Sequence, residues 1–135
     1  MSYPISHLDG CDEEAIRKLK QAGIRTTERL LEVAGSARGR KALAERTGLD
    51  PALLLAFANM ADRMRLPGMA KEYACLMQAA GVKTVRELKY RNPARLAKAM
   101  AEANAKRKLV RVLPSEQAIE RWVDAAKALN VKISY

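Results

Sequence analysis

A chain of 135 residues lies in the range of one ordinary domain or two very small ones, and an apolar fraction of 49% is enough for a core of its own. Its net charge of +10 points to acidic partners, namely nucleic acid, an anionic membrane surface or an acidic protein, and is silent about fold. Only 4% of residues are aromatic, and the apolar mass is mostly Ala, Leu and Met, which suits packed helices better than sheets.

The first predicted element lies in "LDGCDEEAIRKLKQAGIRTTERL" (8–30). Gly10 sits in a turn that opens a helix running to Ala22, with Ile16 and Leu19 on its apolar side. Gly23 is placed as the residue after the C-cap, where a left-handed backbone costs glycine least, and Ile24 is placed to touch the helix just left. Thr26 then caps a second helix. "GSARGRK" (35–41), with Gly35 and Gly39, reads as a flexible turn carrying a small loop cluster of Arg38, Arg40 and Lys41. A third helix ends at Gly48, and Asp50-Pro51 opens a fourth, "PALLLAFANMADRMR", which stops before Pro67.

Past that point the same order recurs. Gly68 sits in a turn, a helix runs to Ala80, Gly81 and Val82 form the corner, and Thr84 caps the next helix as a capping box with Glu87. Asn92-Pro93 opens "PARLAKAMAEANAKRK", and Pro114-Ser115 opens "EQAIERWVDAAKAL", which ends near Asn130. Leu54, Phe57, Ala58 and Ala61 in one half, and Ile119, Trp122, Val123 and Ala126 in the other, share the i, i+3, i+4, i+7 spacing of a buried helical face. Tyr73, Tyr90 and Trp122 fall within helical patterns and are expected in or near the core.

Laid on itself with an offset of 58, the chain places 8–30 on 66–88 without a gap. Leu8/Leu66, Gly10/Gly68, Glu14/Glu72, Ala22/Ala80, Gly23/Gly81, Thr26/Thr84 and Leu30/Leu88 are identical. Such self-similarity marks a duplicated supersecondary unit. The expected fold is all-α, with two fused helical subdomains of about four helices each, roughly 1–65 and 66–135, and no Ser/Gly linker between them.

The order hydrophobic-x-Gly, helix, Ala-Gly-Ile/Val, Lys/Arg-Thr, helix resembles the helix-hairpin-helix motif. The residues that carry it are "MRLPGMAKEYACLMQAAGVKTVRELKYRNPARL" (64–96) and the weaker copy at 8–30. Together they look like an uncharacterised bacterial family, a domain of unknown function built from tandem helix-hairpin-helix-like units. The resemblance spans almost the whole chain. It implies a fold more than an activity: members of the wider superfamily mostly bind DNA through backbone amides, while some units serve as spacers or protein contacts. In DNA-binding versions the hairpin reads hydrophobic-x-Gly-hydrophobic-Gly, and its amides face a phosphate at a helix N-terminus, where the macrodipole also favours an anion. Contacts of that kind position a duplex without reading its sequence.

Both hairpins depart from the pattern. The first reads Gly10-Cys11-Asp12-Glu13-Glu14, with Asp12 in place of the second glycine. Its carboxylates stabilise the helix and repel phosphate, so this hairpin is expected to be structural. The second reads Gly68-Met69-Ala70-Lys71, with a small Ala70 for the second glycine and a positive charge where the first has Glu13. Charge follows the same division. Residues 1–65 carry 11 Lys+Arg against 9 Asp+Glu, a net of +2; residues 66–135 carry 14 against 6, a net of +8. Gly68, Met69, Ala70, Lys71 and the run Lys106-Arg107-Lys108 with Arg111 are therefore the candidate nucleic-acid contacts. Gly10, Cys11, Asp12, Gly23 and Gly81 are assigned structural roles in the hairpins. A basic run is also what an ordinary solvated helix face looks like.

Other chemistries find little support. His7 is the only histidine, no CxxC or HxxxH spacing exists, and Ser6, His7 and Asp9 match no nucleophile arrangement. There is no phosphate-binding loop or dinucleotide fingerprint. No enzyme activity, cofactor or metal is expected. The two cysteines, Cys11 and Cys75, read as free thiols of a reducing compartment; "MSYPISHLDG" lacks an apolar signal core, and no run reaches ~18 apolar residues. A cytoplasmic location without membrane contact follows by default. The sequence offers no aromatic interleaving of the kind that stacks exposed bases. Two functions remain: a non-sequence-specific duplex DNA-binding module acting through the second hairpin, or a scaffold domain docking an acidic protein.

Overall fold

The computed structural model describes residues 2–135, and its regular structure is helical: eight α-helices, with no strand among the described residues. A single antiparallel bridge joins Pro4 to Thr26. The helices are α1 Glu13–Gln21, α2 Thr27–Ala34, α3 Ala37–Thr47, α4 Pro51–Arg63, α5 Lys71–Ala79, α6 Val85–Leu88, α7 Pro93–Arg107 and α8 Glu116–Ala128. Most begin where a short polar side chain can accept from a first-turn amide. Asp12, Thr26, Ser36, Asp50, Thr84, Asn92 and Ser115 all cap in this way, with Pro at the start of α4 and α7. The exception is α5, whose N-cap, Ala70, makes no side-chain bond.

Positions 58 apart share backbone geometry. Helices α1 and α5 start and end at that spacing. Gly10 and Gly68 have φ of 78° and 73°, and Gly23 and Gly81 have φ of 84° and 100°. Both corners close as Schellman turns. Ile24 N donates to Leu19 O (2.9 Å) and Val82 N to Met77 O (3.1 Å), while Gly23 N and Gly81 N reach Lys20 O and Gln78 O. The likeness stops at the next helix, where α2 has eight residues and α6 only four.

One continuous core runs through both halves, from Ile5, Leu8 and Leu19 through Phe57 and Met64 to Leu96, Trp122 and Ile133. The faces expected from spacing are the buried ones: Leu54, Phe57, Ala58 and Ala61 on α4, and Ile119, Trp122, Val123 and Ala126 on α8. Helix α4 packs on α2 and α3 in its own half and also on α5 and α6, while α8 packs on α6 and α7. Polar ties cross between the halves. Arg63 donates to Lys83 O (2.6 Å), and Arg65 donates to Asn130 O (3.0 Å).

Two expectations are corrected. Residues 35–41 are not a flexible loop. Ser36 caps α3 by accepting from Gly39 N (3.0 Å), and Gly39 lies inside the helix, where a Cβ would strike the Val33 carbonyl. Arg40 is 6% exposed and donates to the carbonyls of Ala34 (3.0 Å), Gly35 (2.9 Å) and Ser134 (2.6 Å), so it is an internal tie rather than part of a surface cluster. Tyr90 is not near the core: it is 82% exposed. Helix α6 ends at Leu88, and the chain turns through Lys89–Arg91 before Asn92 caps α7, so no helical period turns Tyr90 inward.

Candidate nucleic-acid interface

The second hairpin is a tight turn between two buried anchors. Leu66 and Met69 are both buried and clamp it to the core, while Pro67 and Gly68 are exposed. Met69 N donates to Leu66 O (3.1 Å), so Met69 offers neither a side chain nor a free amide to an outside ligand. The donors lie just beyond. Among the described residues, the amides of Lys71, Glu72 and Tyr73 meet no protein acceptor, and Ala70 supplies no cap. The Lys71 side chain is half-buried beside them. At the matching place in the first half, the Asp12 carboxylate accepts from Ala15 N (2.8 Å) and is followed by Glu13 and Glu14. The first helix end is capped by its own carboxylate; the second has no capping side chain, and Glu72 is the one acidic residue of its first turn.

The basic run at the end of α7 lies elsewhere. Lys106 and Arg107 border a shallow recess with Ala79 and Ala80, at the far end of α5 from the hairpin. Lys108 ends α7 in a left-handed conformation (φ 50°), and its amide bonds Asn104 O. The Asn104 side chain then holds Val110 through both its carbonyl and its amide (3.0 and 3.1 Å). From there the chain returns along α5 until Val112 O accepts from Tyr73 Oη (3.0 Å), in the first turn of α5. Arg111 stands between the two ends, exposed, as are Lys106, Arg107 and Lys108. The structure therefore links the hairpin and the run through α5 and the 108–113 segment, without making them one contact.

Cations are used differently in the two halves. In the first, Lys18, Arg29 and Arg65 make ion pairs, and Arg40, Arg46 and Arg63 donate to backbone carbonyls. In the second, Lys127 alone among the described residues pairs with a carboxylate, Asp124 at 4.0 Å. Among the described residues, Lys71, Lys83, Arg86, Lys89, Arg91, Arg95, Lys106, Arg107, Lys108 and Arg111 make no ion pair or side-chain hydrogen bond.

A buried charged cluster at the end of α4 has no counterpart in the sequence reading. Arg63 is 1% exposed and donates to Lys83 O (2.6 Å) and Gln78 Oε1 (3.1 Å), with its Nε unpartnered. Burial pulls its pKa down to about 10. Asp62 beside it pairs with Arg65 at 2.5 Å, yet burial still raises its pKa. The only sequence signal was a basic residue at the end of an apolar helix, which ordinarily marks the surface. The thiols of Cys11 and Cys75 are also pushed up by burial, Cys11 to about 11, so both are protonated at neutral pH and poorly nucleophilic. Among the described residues, no group of three His, Cys, Asp or Glu side chains is placed to hold a metal, and no helix is long and apolar enough to cross a membrane.

In comparison with known proteins, residues 9–129 match the family model described as Domain of unknown function (DUF4332). No curated protein and no solved structure matches the chain.

Proposed function

The chain belongs to the DUF4332 family, and we propose that it is a non-catalytic module that binds duplex DNA with little sequence preference through its second half. The observation that carries this is the difference between two helix ends of like geometry. Asp12 caps α1 with a carboxylate, whereas α5 begins uncapped with Lys71 beside three unbonded amides. A phosphate there would take the place that Asp12 holds in the first half, favoured by the amides and the helix dipole. The uncommitted cations of the second half would add the sequence-independent attraction of a polyanion.

The same correspondence supports a finer reading of the fold. Residues 1–65 and 66–135 are copies of one duplicated helix-hairpin-helix-like unit, the first structural and the second binding. Cys11 and Cys75 are free thiols, which suits a reducing, cytoplasmic setting.

The test is titration of labelled duplex at several salt concentrations. Affinity of ~10⁻⁴–10⁻⁶ M near physiological salt is expected, falling steeply as salt rises because each neutralised phosphate releases counterions. Lys71→Glu should weaken binding to all sequences alike and reduce the log–log salt slope by about 1. The variant should still fold, because a carboxylate suits the first turn of a helix. Glu13→Lys should change little. If Lys71→Glu binds duplex as well as the parent, or no binding occurs at low salt, the basic half docks an acidic protein instead.

A further inference from the structure

A groove of about 370 Å³ opens between α6 and the segment 129–135, well away in sequence from the second hairpin. It reaches the ~300 Å³ at which small-molecule sites begin. Two tyrosines line it, and both rings are out in solvent, Tyr90 at 82% and Tyr135 at 65%. Tyr135 is held in place: Arg40 lies 6.0 Å from its ring centroid, and its hydroxyl donates to Asn59 Oδ1 (3.3 Å). Arg86, Lys89 and Lys132 line the same groove, and none of them makes an ion pair or a side-chain hydrogen bond among the described residues. Asp62 is the one acidic side chain among the described residues of the wall, and it is buried and paired with Arg65. The groove thus presents aromatic faces and positive charge with no unpaired acidic side chain among the described residues.

We propose that this groove binds single-stranded nucleic acid, stacking bases on Tyr90 and Tyr135 and setting the backbone phosphates against Arg86, Lys89 and Lys132. Stacking platforms joined to a positive groove are how sequence-tolerant single-strand sites are built. An acidic peptide would use the three cations but would leave two exposed rings without a role. Nucleic acid uses both features, since every base has a π-face and every nucleotide a phosphate. The site does not depend on the hairpin, and its two tyrosines have no part in the duplex reading, so the two can fail separately.

Fluorescence anisotropy with a labelled oligo-dT strand and, in parallel, a labelled duplex separates them. Tyr90 makes no hydrogen bond through its side chain and is almost fully exposed, so Tyr90→Ala should fold as the parent does. It should weaken oligo-dT binding by about tenfold while leaving the duplex titration unchanged. Tyr90→Phe should bind as the parent, because stacking needs the ring and not the hydroxyl. Lys71→Glu should show the opposite pattern, affecting duplex alone. Parental oligo-dT affinity in Tyr90→Ala overturns the proposal. So does a poly-Glu peptide that displaces oligo-dT equally well from parent and Tyr90→Ala, since that would mark a charge-only surface for acidic protein.

Discussion

Single residues in this chain are chosen by backbone shape and by what approaches the backbone. Gly81 has φ of 100° in a corner where a Cβ would meet nothing within 4 Å. Gly35 has an ordinary helical backbone, but a Cβ there would run into the carbonyls of Lys132 and Leu31. The two glycines should therefore fail for different reasons. Gly81→Val should cost on the order of 1–3 kcal/mol through backbone strain, while Gly81→Asn should recover part of the loss, because Asn tolerates the left-handed region. Gly35→Ala should cost about 1–3 kcal/mol through overpacking, and Gly35→Asn, being larger, should be worse. Urea unfolding of the four variants checks the reversal. If Asn is the better replacement at both positions, the steric account of Gly35 is wrong.

At the scale of elements, α4 is the helix that both halves share, and its end is secured by charge inside the core. Arg63 ties the last turn of α4 to Lys83 O at the corner after α5, and to Gln78 near the end of α5. The Nε of Arg63 is buried without a partner, so its charge is not fully compensated, and burial pulls its pKa down to about 10. Two substitutions separate the tie from its cost. Arg63→Ala should destabilise by roughly 2–5 kcal/mol, because it opens a cavity and leaves the Lys83 carbonyl unpaired. Arg63→Met keeps most of the volume and removes the buried charge, so it should cost clearly less. Chemical denaturation of both measures the difference; equal losses would mean that the hydrogen bonds, and not the filled volume, hold the joint.

For the whole molecule, the single core and the ties from Arg40 to Ser134, from Arg65 to Asn130 and from Arg63 to Lys83 make the halves interdependent. Unfolding should then be one cooperative event. Trp122, the sole tryptophan, reports on the second half by fluorescence, while far-UV circular dichroism reports on all the helices. The two denaturation curves should coincide. A fluorescence transition that falls at lower denaturant than the dichroism transition would show that residues 66–135 come apart first, as a separate unit.

What the sequence determined by itself was local. Caps, prolines and corner glycines set where helices start and stop through bonds that span three to six residues, so Thr26, Asp50, Thr84, Asn92 and Ser115 were legible, as were the Schellman turns at Gly23 and Gly81. The buried faces of α4 and α8 were legible too, since burial follows the helical period. What only the tertiary structure decided was the use of residues whose partners are far away in the chain. Arg40 looked like a loop cation until Ser134, 94 positions on, supplied a carbonyl. Arg63 closes an apolar helix, and no spacing records that the corner at Lys83 supplies its partner, 20 positions on. Tyr90 looked buried because a helical pattern was extended past Leu88, and its place beside Tyr135 arises only when the segment 129–135 folds back on α6. Local hydrogen bonds repeat with sequence spacing and can be read from it; the partner of a long side chain depends on how the helices pack, which no spacing records.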